Sequence, residues 1–419
     1  MPKLSRSSEP PLPADPGAPK RFRELMTTGR QVLHMDLDAF FVACELLRQP
    51  QLAGKPVIIG GTGRRGVVAS CSYAARKFGV HSAMPIGQAR QRCPQAVCLP
   101  GDMAYYSAKS REVRELVEAA VPLCEFASID EFYCDLTGMD RFFGCWRFSR
   151  ELRQRLQRET GLALSMGLST SKTVAKIAAG HCKPNGELHI ARGQERAFLV
   201  PLPIEKIPSL GKKTSEILRN RGICHVRDLQ ETSPELLRTL LGKHGPALWK
   251  KANGYCTSPV EPAHVRKSIG TERTFGQDTA DPAHLHRVLI DMTERVSYQL
   301  RQKGNLAGCV TLKLRYHDFT THTRQQKLPY TDQETALLPV VHRLFEQLFD
   351  RKHYIRLVGV RLSDLVRGGH QAELFRDTDQ QLELLSALDD MKRKYGIRAV
   401  RRAAGQPARK RSLPPRGAQ

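Results

Sequence analysis

Val32-Leu33-His34-Met35-Asp36-Leu37-Asp38 and Ser128-Ile129-Asp130-Glu131-Phe132 are the two stretches on which the reading of this chain turns. Each is a short apolar run interrupted by carboxylates, and a strand that carries acids among apolar residues needs cations for them. A charge buried without a partner costs several kcal/mol in desolvation. Acids brought together from two distant strands make an all-oxygen site. Such a site suits Mg²⁺, which is held by carboxylates together with substrate phosphates. Two such ions can clamp an in-line phosphoryl displacement.

The bulk composition narrows the partners. A length of 419 residues suggests two to four domains, and 40% hydrophobic with 26% charged residues is ordinary for a globular protein. The charge balance is not ordinary: 66 Lys and Arg stand against 42 acids, for a net charge of +24. A chain this basic attracts polyanions, nucleic acid first and anionic membrane second. No apolar run approaches the ~18 residues of a membrane span, so no membrane role is expected. The first twenty residues lack the apolar stretch of a secretory signal. The 11 cysteines are scattered, with no C-x-x-C pair. That pattern suits reduced thiols in a cytoplasmic protein better than a disulfide framework or a zinc site.

Along the chain, residues 1–29 read as a disordered, proline-rich leader. A strand over 31–38 precedes Leu37, Phe40, Phe41, Cys44 and Leu47, which recur at helical spacing. Short buried strands follow at 55–60 and 66–70, separated by the turn Gly60-Gly61-Thr62-Gly63. Helices and strands alternate to about residue 190. From 203 to about 255 the pattern is helical, broken at short intervals by Gly and Pro, and a polar linker follows. Beyond it a helix (281–303), a strand (310–316), a helix (334–349) and a strand (355–362) describe a small α+β domain. Past Gly368 comes one helical segment, then a basic end over 401–419 that reads as disordered.

Four motifs stand in register: Asp36-Leu37-Asp38-Ala39-Phe40-Phe41, Tyr73-Ala74-Ala75-Arg76-Lys77-Phe78-Gly79-Val80, Ser128-Ile129-Asp130-Glu131 and Lys183-Pro184-Asn185-Gly186. In this order and at these separations they resemble the Y-family of DNA polymerases, in its DNA polymerase IV (DinB-type) branch. The resemblance runs from about residue 31 to 375. It implies an α+β right-hand polymerase: palm (30–38 and 101–198), small fingers (39–100), a helical thumb with a helix-hairpin-helix (199–256), a linker (257–266) and a C-terminal α+β little finger (267–368). A tail over 369–419 completes the scheme.

The same resemblance assigns roles. Asp36 and Asp130 would bridge two Mg²⁺ ions, Glu131 would ligate the catalytic one, and the Leu37 carbonyl would add an oxygen. Asp38 shares the face of Asp36 and is read as a supporting carboxylate. Successive strand residues face opposite sides, so Asp130 and Glu131 can both serve the site only near a hairpin tip or bend. Tyr73, Arg76 and Lys183, with Ser70 beside them, match the positions that bind the incoming dNTP triphosphate. Tyr73 and Arg76, three apart, share a helix face. Phe41 falls at the steric gate that selects deoxyribose.

Ile207-Pro208-Ser209-Leu210-Gly211-Lys212 resembles the thumb hairpin that offers backbone N–H groups to a DNA phosphate, with Ser209 standing where the family usually has Gly. Lys313, Arg315, Arg324, Lys327 and Arg361 are basic strand residues suited to tracking the template. Gln371-Ala372-Glu373-Leu374-Phe375 resembles the peptide that holds the sliding clamp, through Gln371, Leu374 and Phe375; Gln381-Leu382-Glu383-Leu384-Leu385 fits nearly as well. The expected partners are primer–template DNA, dNTPs and the clamp, and the expected state is a monomer. Low fidelity and bypass of damaged bases follow from the resemblance. The rival reading is a non-catalytic DNA- or clamp-binding homologue. It is disfavoured because Asp36, Asp130, Glu131, Arg76 and Lys183 are all present.

Overall fold

The computed structural model describes residues 29–61, 63–139, 144–262, 265–368 and 378–405. Residues 1–28 of the leader and the clamp peptide 371–375 therefore lie outside the described residues. The chain divides into two units, 1–264 and 265–419.

In the first unit the elements run β1 (Val32–Leu37), α1 (Phe40–Arg48), β2 (Val57–Gly60), β3 (Val68–Cys71), α2 (Tyr73–Arg76), α3 (Ile86–Arg92), β4 (Val97–Leu99), α4 (Met103–Ala120), β5 (Cys124–Phe126), β6 (Glu131–Asp135), α5 (Cys145–Thr160), β7 (Leu164–Ser169), α6 (Lys172–His181) and β8 (Glu187–His189). Five short helices follow: α7 (Glu195–Leu199), α8 (Lys212–Arg219), α9 (Val226–Glu231), α10 (Pro234–Leu241) and α11 (His244–Ala252). The main sheet has the order β5-β6-β1-β7-β8, and a smaller sheet has the order β3-β2-β4.

β1 is the central strand, and its alternation sorts the chemistry. Leu33, Met35 and Leu37 enter the large core with Phe132, Cys134, Leu164, Met166 and Leu168. His34 and Asp36 face the other way, opposite Tyr133 and Glu131 on β6 and opposite Gly167 and Ser165 on β7. Helix α6 closes over that polar face, and Gly167 is what lets it approach. A Cβ there would stand 2.2 Å from the Ala175 carbonyl oxygen. The helical face predicted around α1 is shifted: Val42 and Glu45 are buried while Leu47 is exposed. Glu45 is buried because the Tyr106 hydroxyl donates to it at 2.8 Å.

The second unit comprises β9 (Ser268–Thr279), α12 (Pro282–Arg301), β10 (Asn305–Tyr316), β11 (Thr321–Thr331), α13 (Glu334–Leu348), β12 (Ile355–Arg367) and α14 (Thr378–Tyr395). Its sheet order is β11-β10-β12-β9, with α12 and α13 packed on one face. Reading the sequence as helix-strand-helix-strand missed β9 and β11. Both are edge strands and largely exposed, so they lack the apolar alternation that marked β10 and β12.

The basic end also differs from expectation at its start. Arg401 lies 3.6 Å from Asp291, the Arg402 amide donates to Glu294, and Gly405 is buried against Ile290. Helix α14 is fastened by Arg301, which is only 10% exposed. It donates to both Asp389 oxygens (2.7 and 3.0 Å), to Glu334 (2.9 Å) and to the Asp332 carbonyl (2.8 Å). Replacing Arg301 by Met would leave Asp389 and Glu334 without their cation in a dry place. The expected loss is about 3–5 kcal/mol of stability in urea denaturation. A stability within about 0.5 kcal/mol of wild type would contradict that account.

Candidate active site

The two acidic stretches meet at one end of the main sheet. Asp36 and Glu131 are directly opposed across the β1–β6 ladder. Residues 127–130 form the turn between β5 and β6, where Asp130 sits outside the ladder. The turn is held by the Leu37 amide donating to the Asp130 carbonyl (2.9 Å), by the Ser110 hydroxyl donating to the Ile129 carbonyl (2.6 Å), and by Ser128. The Ser128 hydroxyl donates to the Asp130 carboxylate at 2.5 Å and accepts the Glu131 amide at 3.1 Å. Asp130 thus leaves strand alternation at the bend, next to Glu131 and at the end of the sheet where Asp36 lies.

Asp38 is buried and fully engaged. It accepts the Ser165 hydroxyl at 2.8 and 3.1 Å, the Asn185 amide at 2.7 Å and the Tyr73 hydroxyl at 3.1 Å. Its oxygens are spent on fixing other groups. The turn that carries Lys183 is pinned from three sides. Beyond Asp38, buried Arg153 donates to the Asn185 carbonyl at 2.7 Å, and the Gly186 amide reaches Ser165 at 3.3 Å. Only glycine fits at 186, since a Cβ would meet the Cys182 carbonyl oxygen at 1.9 Å. From this turn the Lys183 ammonium bonds Asp36 and stands 3.8 Å from Asp38.

Two further groups were not foreseen. The Lys176 ammonium, from α6, bonds Glu131, and the His34 Nε2 lies 3.5 Å from the same carboxylate. His34 had a visible signal, since residues 34, 36 and 38 share one face of a strand. Lys176 had none, because its position depends on how α6 packs over the sheet.

The electrostatics follow from these neighbours. Burial pushes the Asp36 carboxyl up and Lys183 opposes it. The Glu131 carboxyl is held down to about 2 by the His34 imidazole and the Lys176 ammonium, against its own burial. At 3.5 Å the imidazole is beyond a normal hydrogen bond, and burial holds His34 toward its neutral form. Lys176 is therefore the partner that the geometry supports. Burial also raises the Tyr73 phenol, and the Asp38 carboxylate raises it further, so Tyr73 stays a donor.

Tyr73 and Arg76 belong to α2, with the exposed Arg76 guanidinium 4.6 Å over the Tyr73 ring. Tyr73 and Lys183 converge on Asp38, at 3.1 and 3.8 Å. Ser70 is buried on β3 opposite Ile59, in the smaller sheet, with no bond to this group among the described residues. Phe41 lies on the first turn of α1, half-buried, its ring stacked on Tyr106 at 4.6 Å. Among the described residues no three His, Cys, Asp or Glu side chains close on one point, and lysine ammoniums stand on Asp36 and Glu131. The donor chemistry still fits a hard divalent cation: three carboxylates and a backbone carbonyl, oxygen throughout.

At the start of the helical hairpin, Ser209 adopts φ +75°, the left-handed region glycine prefers, and α8 begins after Gly211. The departure from glycine at Ser209 thus falls where the backbone requires a glycine-like turn.

In the second unit the register sorts the basic residues. Lys313, Arg315, Lys327 and Arg361 alternate onto the sheet face away from α12 and α13, with Gly270, Gly359, Thr311 and Thr323 between them. Arg324 pairs with core-facing Leu312 and so points to the helix side. Lys313 is held at 2.7 Å by Glu272 on the open face. Every cysteine is a free thiol, and no helix among the described residues is long and apolar enough to cross a membrane.

Residues 35–180 match the impB/mucB/samB family, and residues 266–374 match its C-terminal domain. The chain is 36% identical over 375 residues to a DNA polymerase IV of Dehalococcoides mccartyi, covering 88% of this chain and 96% of the relative. It is 41% identical over 352 residues to a DNA polymerase IV of Methanoculleus marisnigri, covering 82% and 97%. Among solved structures, a Y-family DNA polymerase chimera of Dbh and Dpo4 aligns with a TM-score of 0.73 at 28% identity, over 81% of this chain and all of the other. DinB from Sulfolobus solfataricus aligns with a TM-score of 0.56 at 27% identity over the same shares.

Proposed function

The chain belongs to the Y-family of DNA polymerases, and from that premise we propose that the acidic end of its main sheet adds deoxynucleotides to a primer 3′-hydroxyl on a DNA template. It is a template-directed DNA polymerase of the translesion class. The observation that carries the site assignment is the meeting of Asp36 and Glu131 across one ladder, with Asp130 turned to the same end by the hairpin bend.

The family is metal-dependent, and the cofactor we propose is a pair of Mg²⁺ ions held by Asp36, Asp130, Glu131 and the Leu37 carbonyl. When bound, such ions supply charge that favours ionisation of the attacking hydroxyl and offsets the charge of the departing pyrophosphate. The remaining work is positioning and electrostatics. Lys183, Arg76 and the Tyr73 hydroxyl hold the triphosphate, with Ser70 at the edge of that group. Asp38, tied to Tyr73, Ser165 and the Asn185 amide, keeps Tyr73 and the turn of Lys183 in register. Phe41 lies under the sugar.

The open sheet face of the second unit, with Lys313, Arg315, Lys327 and Arg361, tracks the DNA backbone. The logarithm of DNA affinity is expected to fall linearly with the logarithm of salt concentration, and each of these residues changed to Ala should reduce the slope by about one. Arg324→Ala should leave it unchanged, because that side chain points to the helix side. An Arg324 effect equal to that of Arg361 would remove the face assignment. The peptide 371–375 is proposed to engage the sliding clamp through Gln371, Leu374 and Phe375. Gln381-Leu382-Glu383-Leu384-Leu385 falls within α14.

Primer extension tests the polymerase reading. A plain primer–template with dNTPs and Mg²⁺ should be extended, chelation with EDTA should stop extension, and excess Mg²⁺ should restore it. A folded, DNA-binding protein that never extends would favour the non-catalytic alternative.

A further inference from the structure

The β10–β11 turn exposes an aromatic side chain that its backbone does not favour. Asp318 caps the turn, accepting the Thr320 amide at 2.9 Å and the Thr320 hydroxyl at 2.6 Å. Between them Phe319 sits at φ +68°, a region where glycine or asparagine is usual and a bulky residue is an outlier. Its ring is 61% exposed, so the core does not pay for that strain. A bulky residue kept in such a conformation without burial is a mark of function.

What surrounds Phe319 indicates the ligand. The Arg356 guanidinium stands 4.5 Å over its ring. Tyr354, 57% exposed, stands at the base of the same turn, where its carbonyl accepts the His317 amide at 2.9 Å. Exposed Lys352 lies two residues before it in the chain, Arg351 is held by Glu346 at 3.2 Å, and the acids nearest the turn are committed, Asp318 to Thr320 and Asp350 to His353. Two exposed aromatic rings, a planar cation on one of them and basic side chains beside them are the chemistry that stacks a nucleobase while holding its phosphate. A protein partner would need a wider apolar area than two rings set among cations.

We infer that Phe319 and Tyr354 form a stacking platform for an unpaired base of the single-stranded template. The inference rests on the polymerase reading, which supplies such a strand. Because stacking uses the π-face that every base has, the platform is insensitive to sequence and sensitive to loss of the base.

The test measures binding of the full chain to a primer–template with an ordinary 5′ overhang and to one whose overhang is abasic, with the same phosphates but no bases. A blunt duplex is the control. Wild type should bind the ordinary overhang about five- to tenfold more tightly than the abasic one. Phe319→Gly is the decisive variant, since glycine suits φ +68° and should fold at least as well as wild type. It should lose the preference while keeping blunt-duplex affinity, Tyr354→Ala should weaken the preference, and Phe319→Tyr should retain it. Equal wild-type binding to both overhangs overturns the inference, and so does a Phe319→Gly protein that keeps the preference. Primer extension by wild type on the ordinary overhang keeps the polymerase reading in place in either case.

Discussion

Changing Asp130 and Glu131 together to Ala is expected to reduce primer extension by about a thousandfold or more, with DNA binding retained. Single groups aimed at charge that develops in a transition state are each worth about 10²–10³ in rate, and this change removes two of the three carboxylates at the end of the sheet. The double variant also strips Lys176 of its Glu131 partner, leaving a partly exposed ammonium. That loss is local. The β5–β6 turn keeps its backbone bonds to Leu37 and its tie to Ser110, so the palm should still fold. Asp130→Asn with Glu131→Gln is the companion variant, matching shape while discarding charge. Both pairs should bind primer–template at wild-type affinity and yield no product on the time scale of wild-type extension. Extension within tenfold of wild type by a folded double variant would remove these residues from the chemistry.

Phe41→Ala is expected to lower discrimination between deoxynucleotides and ribonucleotides by about a hundredfold, the scale on which a site can reject one added hydroxyl by shape alone. The ring lies on the first turn of α1, immediately after the β1 stretch that carries Asp36 and Asp38. Its half-burial and its stacking on Tyr106 hold the ring in one place, as a steric barrier requires. The same packing predicts a modest cost in stability, below the ~3–5 kcal/mol of a fully buried Phe→Ala change, so melting should be recorded beside activity. The measurement is kcat/KM for dCTP and CTP opposite template dG. The ribonucleotide value should rise while the deoxynucleotide value changes little. An unchanged ratio would leave Phe41 as a core residue of α1 and nothing more.

Much of this was legible in one dimension because strand alternation writes itself into sequence. Asp36 and Asp38, two apart, had to share a face, and His34 belonged with them on the same ground. Asp130 and Glu131, adjacent, could converge only at a bend, and the bend is the β5–β6 turn. Gly186 and Ser209 show the limit from the other side. The first is required by a carbonyl 1.9 Å from any Cβ, and the second occupies a left-handed turn without being glycine. Neither constraint is visible without coordinates. The edge strands β9 and β11 escaped notice because exposed strands carry no apolar period. Arg324 was grouped with the other basic strand residues, and the register puts it on the opposite face from Lys313, Arg315, Lys327 and Arg361.

By itself, then, the sequence determined which residue types the chemistry uses, their order, and the faces they take within single elements, since those depend on local periodicity alone. The tertiary structure decided which faces meet. Only the packing of α6 over a glycine-thinned sheet put Lys176 on Glu131, and only the pinned 183–186 turn put Lys183 between Asp36 and Asp38. Contacts between segments distant along the chain depend on packing, for which a single sequence has no period to read.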